Sequence, residues 1–260
     1  MRTPVLGELY MTYCVGIMVD QGLAMIADTR TNAGVDNVST FRKLYTVHVP
    51  GERFISLATA GNLGITQSVI SYVLEGFENP ESGETETLAT QKSMFDAAQF
   101  VGRVVREVYR SEGLDPRNPN GFDISMLLAG QIAGRRLRLF MIYSAGNFIE
   151  ATEETPYLQI GEHKYGKPIL DRSISSKTSL NDALKLGLIS MDSTIRSNLG
   201  VGLPIDLVLY QRDQLDSAYE YRIEQGEPYF HDLRERWSAA LRAAHQAIPP
   251  APYAPRHSSS

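Results

Sequence analysis

The sequence predicts an α+β fold, a four-layer α/β/β/α sandwich of two antiparallel sheets, and two observations carry that expectation. Strand-like runs, paired helices, strands, paired helices and strands follow one another in segregated blocks, which argues against a βαβ parallel sheet. Each block also carries one apolar face, and two sheets packed face to face with a helical layer outside each would bury all of them.

The elements follow in order. Residues 12–19 and 23–27 form two apolar runs across the turn Asp20-Gln21-Gly22, and residues 43–49 and 53–60 form another pair across Pro50-Gly51. Their Val, Ile, Leu and Thr content with tight Gly/Pro punctuation favours strands, and the segment between the two pairs reads as a polar loop. Helical spacing appears over 63–77, where Ile65, Val69, Ile70, Val73, Leu74 and Phe77 share one side. It recurs over 93–110, with Phe95, Ala98, Val101, Val105 and Val108 on an apolar face. An acidic, turn-rich connection, 79–86, joins these helices. Strands return at 122–132, 137–143, 148–151 and 157–161, then helices at 165–172 and 180–198. Ser179 with Asp182 resembles a capping box with a shortened acid at the front of the longer helix. Strands 205–212 and 218–224 and a charged helix, 228–246, close the pattern, and the Pro-rich residues 248–260 read as a disordered tail.

Composition narrows the function. The 260 residues are 43% hydrophobic and 21% charged, without a linker, repeat or low-complexity block ahead of the tail, so residues 12–247 read as a single domain. A net charge of −5 gives no electrostatic support for binding nucleic acid or an anionic membrane. No apolar run is long enough to span a bilayer. One cysteine, Cys14, excludes an intrachain disulfide framework and fits a reducing cytoplasm. The five histidines are scattered without metal-ligand spacing, so a zinc site is not expected.

The chemistry-bearing residues gather at the start. Thr12 stands directly behind Met11 and opens the first strand. A threonine that begins a mature chain carries its own base, the free α-amine, beside its hydroxyl nucleophile, and its β-branching restricts the attack angle. Asp28 ends the second strand and Lys43 opens the third, supplying a carboxylate and a cation that would tune such a pair. Each also has a plainer reading. Thr12 could be an ordinary strand residue, Asp28 a strand-end turn residue, and Lys43 a solvated lysine whose neighbour Arg42 competes for its role. Cys14 is a rival nucleophile in principle, but no activating histidine adjoins it, and a small buried thiol is the commoner state.

Several motifs in order carry a resemblance: Met11-Thr12-Tyr13-Cys14-Val15-Gly16, Ala27-Asp28-Thr29-Arg30-Thr31-Asn32-Ala33-Gly34, Ser39-Thr40-Phe41-Arg42-Lys43, Ala60-Gly61-Asn62, Phe122-Asp123-Ile124-Ser125, and the stretch opening Gly161-Glu162-His163-Lys164. From Met11 to about His245 the chain resembles the N-terminal-nucleophile hydrolases, specifically proteasome β-type subunits, and among them the bacterial proteasome-like Anbu family. The resemblance implies the four-layer fold and a threonine-type hydrolase of peptide or amide bonds, with neither metal nor organic cofactor. In it Thr12 is the nucleophile, Lys43 the active-site lysine, Asp28 its orienting aspartate, and Gly61 the donor of an oxyanion-hole amide. Ser197 could fill an accessory place where such subunits carry an Asp and a Ser. Where they carry Gly-Ser after the mid-chain strand, this chain has Gly161-Glu162, and Glu162 is a candidate replacement, with a surface glutamate as the plain alternative. The resemblance further implies self-assembly into a multi-subunit ring or open helical array, with Thr12 facing a lumen and a peptide or peptide-like substrate. It names no unfoldase partner.

Thr12 can act only with a free amine, so residues 1–11 read as a leader that is removed or that precedes the true start. Self-cleaving relatives carry glycine where this chain has Met11. Two other functions stay open: an amidase or transpeptidase for a specialised small peptide-like substrate, and a silent assembly scaffold with Thr12 blocked behind its leader.

Overall fold

Alternating and helical apolar patterns become two stacked sheets and their flanking helices. The structure is a computed structural model, and it describes residues 12–32, 38–80, 82–115 and 122–253. In chain order the elements are β1 (Tyr13–Val19), β2 (Gly22–Asp28), β3 (Arg30–Asn32), β4 (Val38–Thr40), β5 (Leu44–Val49), β6 (Arg53–Gly61), α1 (Leu63–Glu75), β7 (Phe77–Glu78) and β8 (Thr85–Glu86). A 3-10 turn at Leu88–Thr90 leads to α2 (Met94–Ser111), β9 (Ile124–Ile132), β10 (Arg138–Tyr143), β11 (Phe148–Glu150) and β12 (Tyr157–Gly161). Then come α3 (Lys167–Ser173), α4 (Leu180–Ser197), β13 (Ile205–Gln211), β14 (Tyr219–Ile223) and α5 (Pro228–Ala247).

One sheet has the order β12-β1-β2-β13-β14 and the other β11-β10-β9-β6-β5, and every pairing in both is antiparallel. Between them lies an apolar core containing Cys14, Met25, Leu127, Leu139 and Ile160. There Phe54 and Tyr210 stack with centroids 4.7 Å apart. Helices α1 and α2 cover the second sheet through an apolar cluster that includes Val69, Phe100, Val104, Leu128 and Phe140. Helix α4 lies on β1 and β2. Gly187 permits that approach, because a Cβ there would stand 2.5 Å from Ile26 Cδ1. This is the α/β/β/α sandwich that the segregated runs predict.

Contacts divide the chain into a unit running to Gln225 and a C-terminal one from Gly226. Within the latter, α5 starts at Pro228, with the Glu227 carboxylate accepting the Phe230 amide at 2.6 Å. The expected leader lies outside the described residues, as do residues 254–260 of the tail; residues 248–253 are exposed and carry neither helix nor strand.

The structure corrects the sequence reading in four places. The polar loop after β2 contains a short hairpin, β3 on β4, pairing Arg30 with Thr40. The acidic connection contains another, β7 on β8. Helix α1 stops at Glu75 because Gly76 adopts φ +141°, so Phe77 is buried from a strand rather than from the helix. Phe95 is 41% exposed instead of joining the apolar face of α2, which is built from Met94, Ala98, Val101, Val105 and Val108. Its ring stands edge-on to Phe148 under the Arg138 guanidinium. At the front of α4, Ser179 Oγ accepts the Asp182 amide at 3.1 Å, while the Asp182 carboxylate turns back to the Ser179 hydroxyl rather than to its amide.

Candidate active site

Strand register brings the motif residues to one rim of the sandwich. Tyr13 pairs with Gly161, Cys14 with Ala27, Ile205 with Asp28, and Gly61 with Ile124. The Thr59 amide donates to the Lys43 carbonyl at 3.0 Å. The starts of β1, β5, β9 and β13 therefore meet the ends of β2, β6 and β12. Cys14 Sγ donates to the Thr59 carbonyl at 3.6 Å across the two sheets. Two residues further toward the rim on those strands stand Thr12 and Gly61.

Thr12 is 8% exposed, and its carbonyl accepts the Glu162 amide at 2.7 Å. Gly161 makes that contact sterically possible: its φ is +79°, and a Cβ on it would stand 2.0 Å from the Thr12 oxygen. Lys43 Nζ donates to Asp28 Oδ1 at 2.9 Å and to the Arg30 carbonyl at 2.6 Å. The same Asp28 oxygen accepts the Tyr13 amide at 3.0 Å, and Oδ2 accepts the Gly202 amide at 3.3 Å. Asp28 is fully buried. Burial pushes its carboxyl above the ordinary aspartate value, while the Lys43 ammonium and the two amides pull it back. Lys43 is buried and Arg42 exposed, so the competition between the two cations for Asp28 goes to Lys43.

Gly61 closes β6 with an exposed backbone and φ +105°, and a Cβ there would meet the Asp123 carbonyl at 2.1 Å. The fold needs glycine at this position whether or not the amide has a chemical task. Ser197 ends α4 with an exposed side chain. It is the next residue, Asn198, that reaches toward the site, donating from Nδ2 to Glu162 Oε2 at 3.3 Å. Glu162 itself is 6% exposed, not a surface glutamate. Burial pushes the Cys14 thiol far up, against any role as a thiolate nucleophile.

Arg30 supports the Asp28 loop, as its place in the motif suggests, and sequence reasoning missed one further support, behind β1. The Arg30 guanidinium donates to the Leu199 carbonyl at 3.1 Å and packs on Gly202, where a Cβ would lie 2.7 Å from it; this fixes the loop that offers the Gly202 amide to Asp28. Behind β1, the Tyr13 hydroxyl lies 2.5 Å from Ser190 Oγ and accepts from Gln159 Nε2 at 2.5 Å. The available signal was polar: Ser190 and Thr194 stand four apart on the face of α4 that carries Gly187 and Met191. Among the described residues no group of three or more His, Cys, Asp or Glu is placed to hold a metal, and no helix is long and apolar enough to cross a membrane.

A four-layer sandwich whose first strand opens at a threonine, beside a buried aspartate–lysine pair, defines a proteasome-type N-terminal-nucleophile hydrolase fold. The family profile described as proteasome subunit matches residues 12–208. Among solved structures, Anbu (ancestral beta-subunit) from Yersinia bercovieri is 46% identical with a TM-score of 0.85, covering 93% of this chain and 100% of that one. Anbu from Hyphomicrobium sp. strain MC1 is 50% identical (TM-score 0.84; 92% and 99% covered). The chain in the helical assembly of the Anbu complex from Pseudomonas aeruginosa is 43% identical (TM-score 0.84; 94% and 99% covered). The chain belongs to the proteasome subunit family and, within it, to the Anbu proteins. No curated protein matches it.

Proposed function

We propose that this chain is a threonine-type hydrolase of peptide or amide bonds, working without metal or organic cofactor inside an assembly of its own copies. The observation that carries the reading is the shared oxygen of Asp28, which holds the Lys43 ammonium and the amide next to Thr12 at once. With residues 1–11 gone, the Thr12 hydroxyl attacks the carbonyl and its α-amine takes the proton through a water, later returning it to the leaving group. Lys43 favours the unprotonated amine and stabilises alkoxide charge, Asp28 fixes Lys43, and the Gly61 amide faces the developing oxyanion. The acyl-enzyme then yields to water. Ser197 is kept as an accessory hydroxyl only if the α4 end turns inward in the assembly; Asn198 and Glu162 have better geometry. The Pseudomonas relative's helical assembly supports self-association of this chain, and we place it in the cytoplasm on its free buried thiol.

Glu162 favours a second, narrower reading, an amidase or transpeptidase for a specialised peptide-like substrate. A buried glutamate whose amide bonds the Thr12 carbonyl, and whose carboxylate accepts from Asn198, differs from the Gly-Ser of ordinary subunits and would change the polar surroundings of Thr12.

Intact mass spectrometry of natively expressed protein, with and without a β-lactone, tests the proposal. A chain beginning at Thr12 that gains one adduct, lost in Thr12→Ala, is expected. A chain retaining Met11 and gaining none supports a scaffold instead.

A further inference from the structure

A fully buried tyrosine in the helical layer, Tyr109, grips the strand that backs Gly61. It stands in the last turn of α2, beside the buried Val105 and Val108. Its hydroxyl donates to the Phe122 carbonyl at 2.5 Å, just ahead of β9. The Ile124 amide and the Ser144 hydroxyl donate to it in turn. A buried phenol needs some polar partner, and a carbonyl of its own helix would have served. This one stands in for a missing strand. β10 stops pairing with β9 at Tyr143 on Ser125, whereas β6 continues one residue further, to Gly61 on Ile124. The ladder therefore offers Ile124 no partner on its β10 side, and the Tyr109 hydroxyl takes that place.

We infer that Tyr109 is a positioning residue: by clamping residues 122–124 it aims the Gly61 amide at the oxyanion formed when Thr12 attacks. The inference rests on the reading of Thr12 as nucleophile and Gly61 as oxyanion donor. Bonds alternate along β6, where the Asn62 amide donates to the Asp123 carbonyl and the Thr59 amide to the Lys43 carbonyl, each at 3.0 Å. By that alternation the Gly61 amide points away from β9, to the side of Lys43. Its aim is set from behind. The Asp123 carbonyl lies so close to Gly61 that a Cβ there would stand 2.1 Å from it. A displacement of Asp123 is passed directly to Gly61, and Asp123 lies between the two residues that Tyr109 holds. Oxyanion donors act through preorganised position, so a loosened donor costs rate rather than ground-state affinity. A helix behind the second sheet thus fixes a donor at its rim.

Full-length Tyr109→Phe keeps the ring and removes the clamp. Hydrogen exchange at the Asn62 and Ile124 amides should quicken roughly tenfold, with the Phe54 amide near the other end of β6 unchanged. With β-lactone, acylation at saturation should slow roughly tenfold while the half-saturating concentration holds, a smaller loss than deleting a donor outright. Ser144→Ala removes one other bond to the same hydroxyl and should move the same amides in the same direction by less. Phe100→Ala, on the same helix, is the control and should leave the acylation rate of the folded protein unchanged. Unchanged exchange at Asn62 and Ile124, a rate loss shared by Phe100→Ala, or an effect on half-saturation alone overturns the inference. A wild-type adduct with Tyr109→Phe reacting at the wild-type rate refutes this inference alone. A wild-type chain that starts at Thr12 and forms no adduct refutes the hydrolase reading and the aim at an oxyanion with it, and exchange still decides the clamp.

Discussion

The two helix-on-sheet interfaces of the sandwich are built from different chemistry. Where α1 and α2 cover the second sheet, a large apolar cluster runs from Val69 and Phe100 to Leu128 and Phe140, and the buried Thr66 hydroxyl donates back to Leu63 of its own helix. Where α4 covers β1 and β2, fully buried Ser190, Asp192 and Thr194 sit among the apolar residues, with Ser190 bonded to the Tyr13 hydroxyl. The first interface rests mainly on shape. The second must satisfy each polar group, which fixes one position of β1 against the helix. The polar interface lies behind β1, one residue from Thr12, the nucleophile proposed above.

Variants should separate the two. The largest effect is expected from Asp28→Asn, which strips a buried ammonium of its counter-charge; stability should fall by about 3–5 kcal/mol in urea titration, with adduct formation lost as well. Phe100→Ala on the apolar side should cost a similar ~3–5 kcal/mol, yet leave the β-lactone reaction rate of the folded protein unchanged. A rate change there would blur the distinction. Tyr13→Phe leaves Ser190 and Gln159 without their shared partner and should cost about 1–3 kcal/mol while slowing the adduct. Adding Ser190→Ala should recover part of the stability in the double variant.

The smallest effect concerns pH. The Arg138 guanidinium, hydrogen-bonded to Glu150 between β10 and β11, holds that carboxyl below the usual glutamate range. A depressed folded value means that the contribution is complete above the unfolded value of about 4.3 and disappears as pH falls through the lower folded one. Glu150→Gln should therefore flatten the acid limb of stability by no more than about 1 kcal/mol, measured by melting between neutral and acidic pH. Unlike Asp28→Asn, it should not touch the Thr12 reaction.

Much of the fold was legible because periodicity reports which face is buried. The strand at Tyr157–Gly161 was placed to the residue, and α4 to within one. The short hairpins were not legible: strands of two or three residues are too brief to establish alternation, and Arg30–Asn32 carries no apolar face. Phe95 misled because it falls beside the apolar stripe of α2, where only the position of Phe148 decides which way the ring goes.

The candidate site divides in the same manner. Thr12, Asp28, Lys43 and Gly61 stand at strand ends that turn chemistry and apolar runs mark out, so their positions on elements were determined by the sequence alone. Which of them touch was decided only by tertiary structure. Asp28 collects donors from Tyr13, Lys43 and Gly202, and Tyr13 meets Ser190 across 177 residues of chain. The burial of Glu162, the choice of Lys43 over Arg42 and the hold of Tyr109 on Phe122 belong to the same class. Periodicity is a local property, written every second or every third to fourth residue. Contacts at the rim depend on the register between strands far apart in sequence, and that register is set by packing of the whole sandwich.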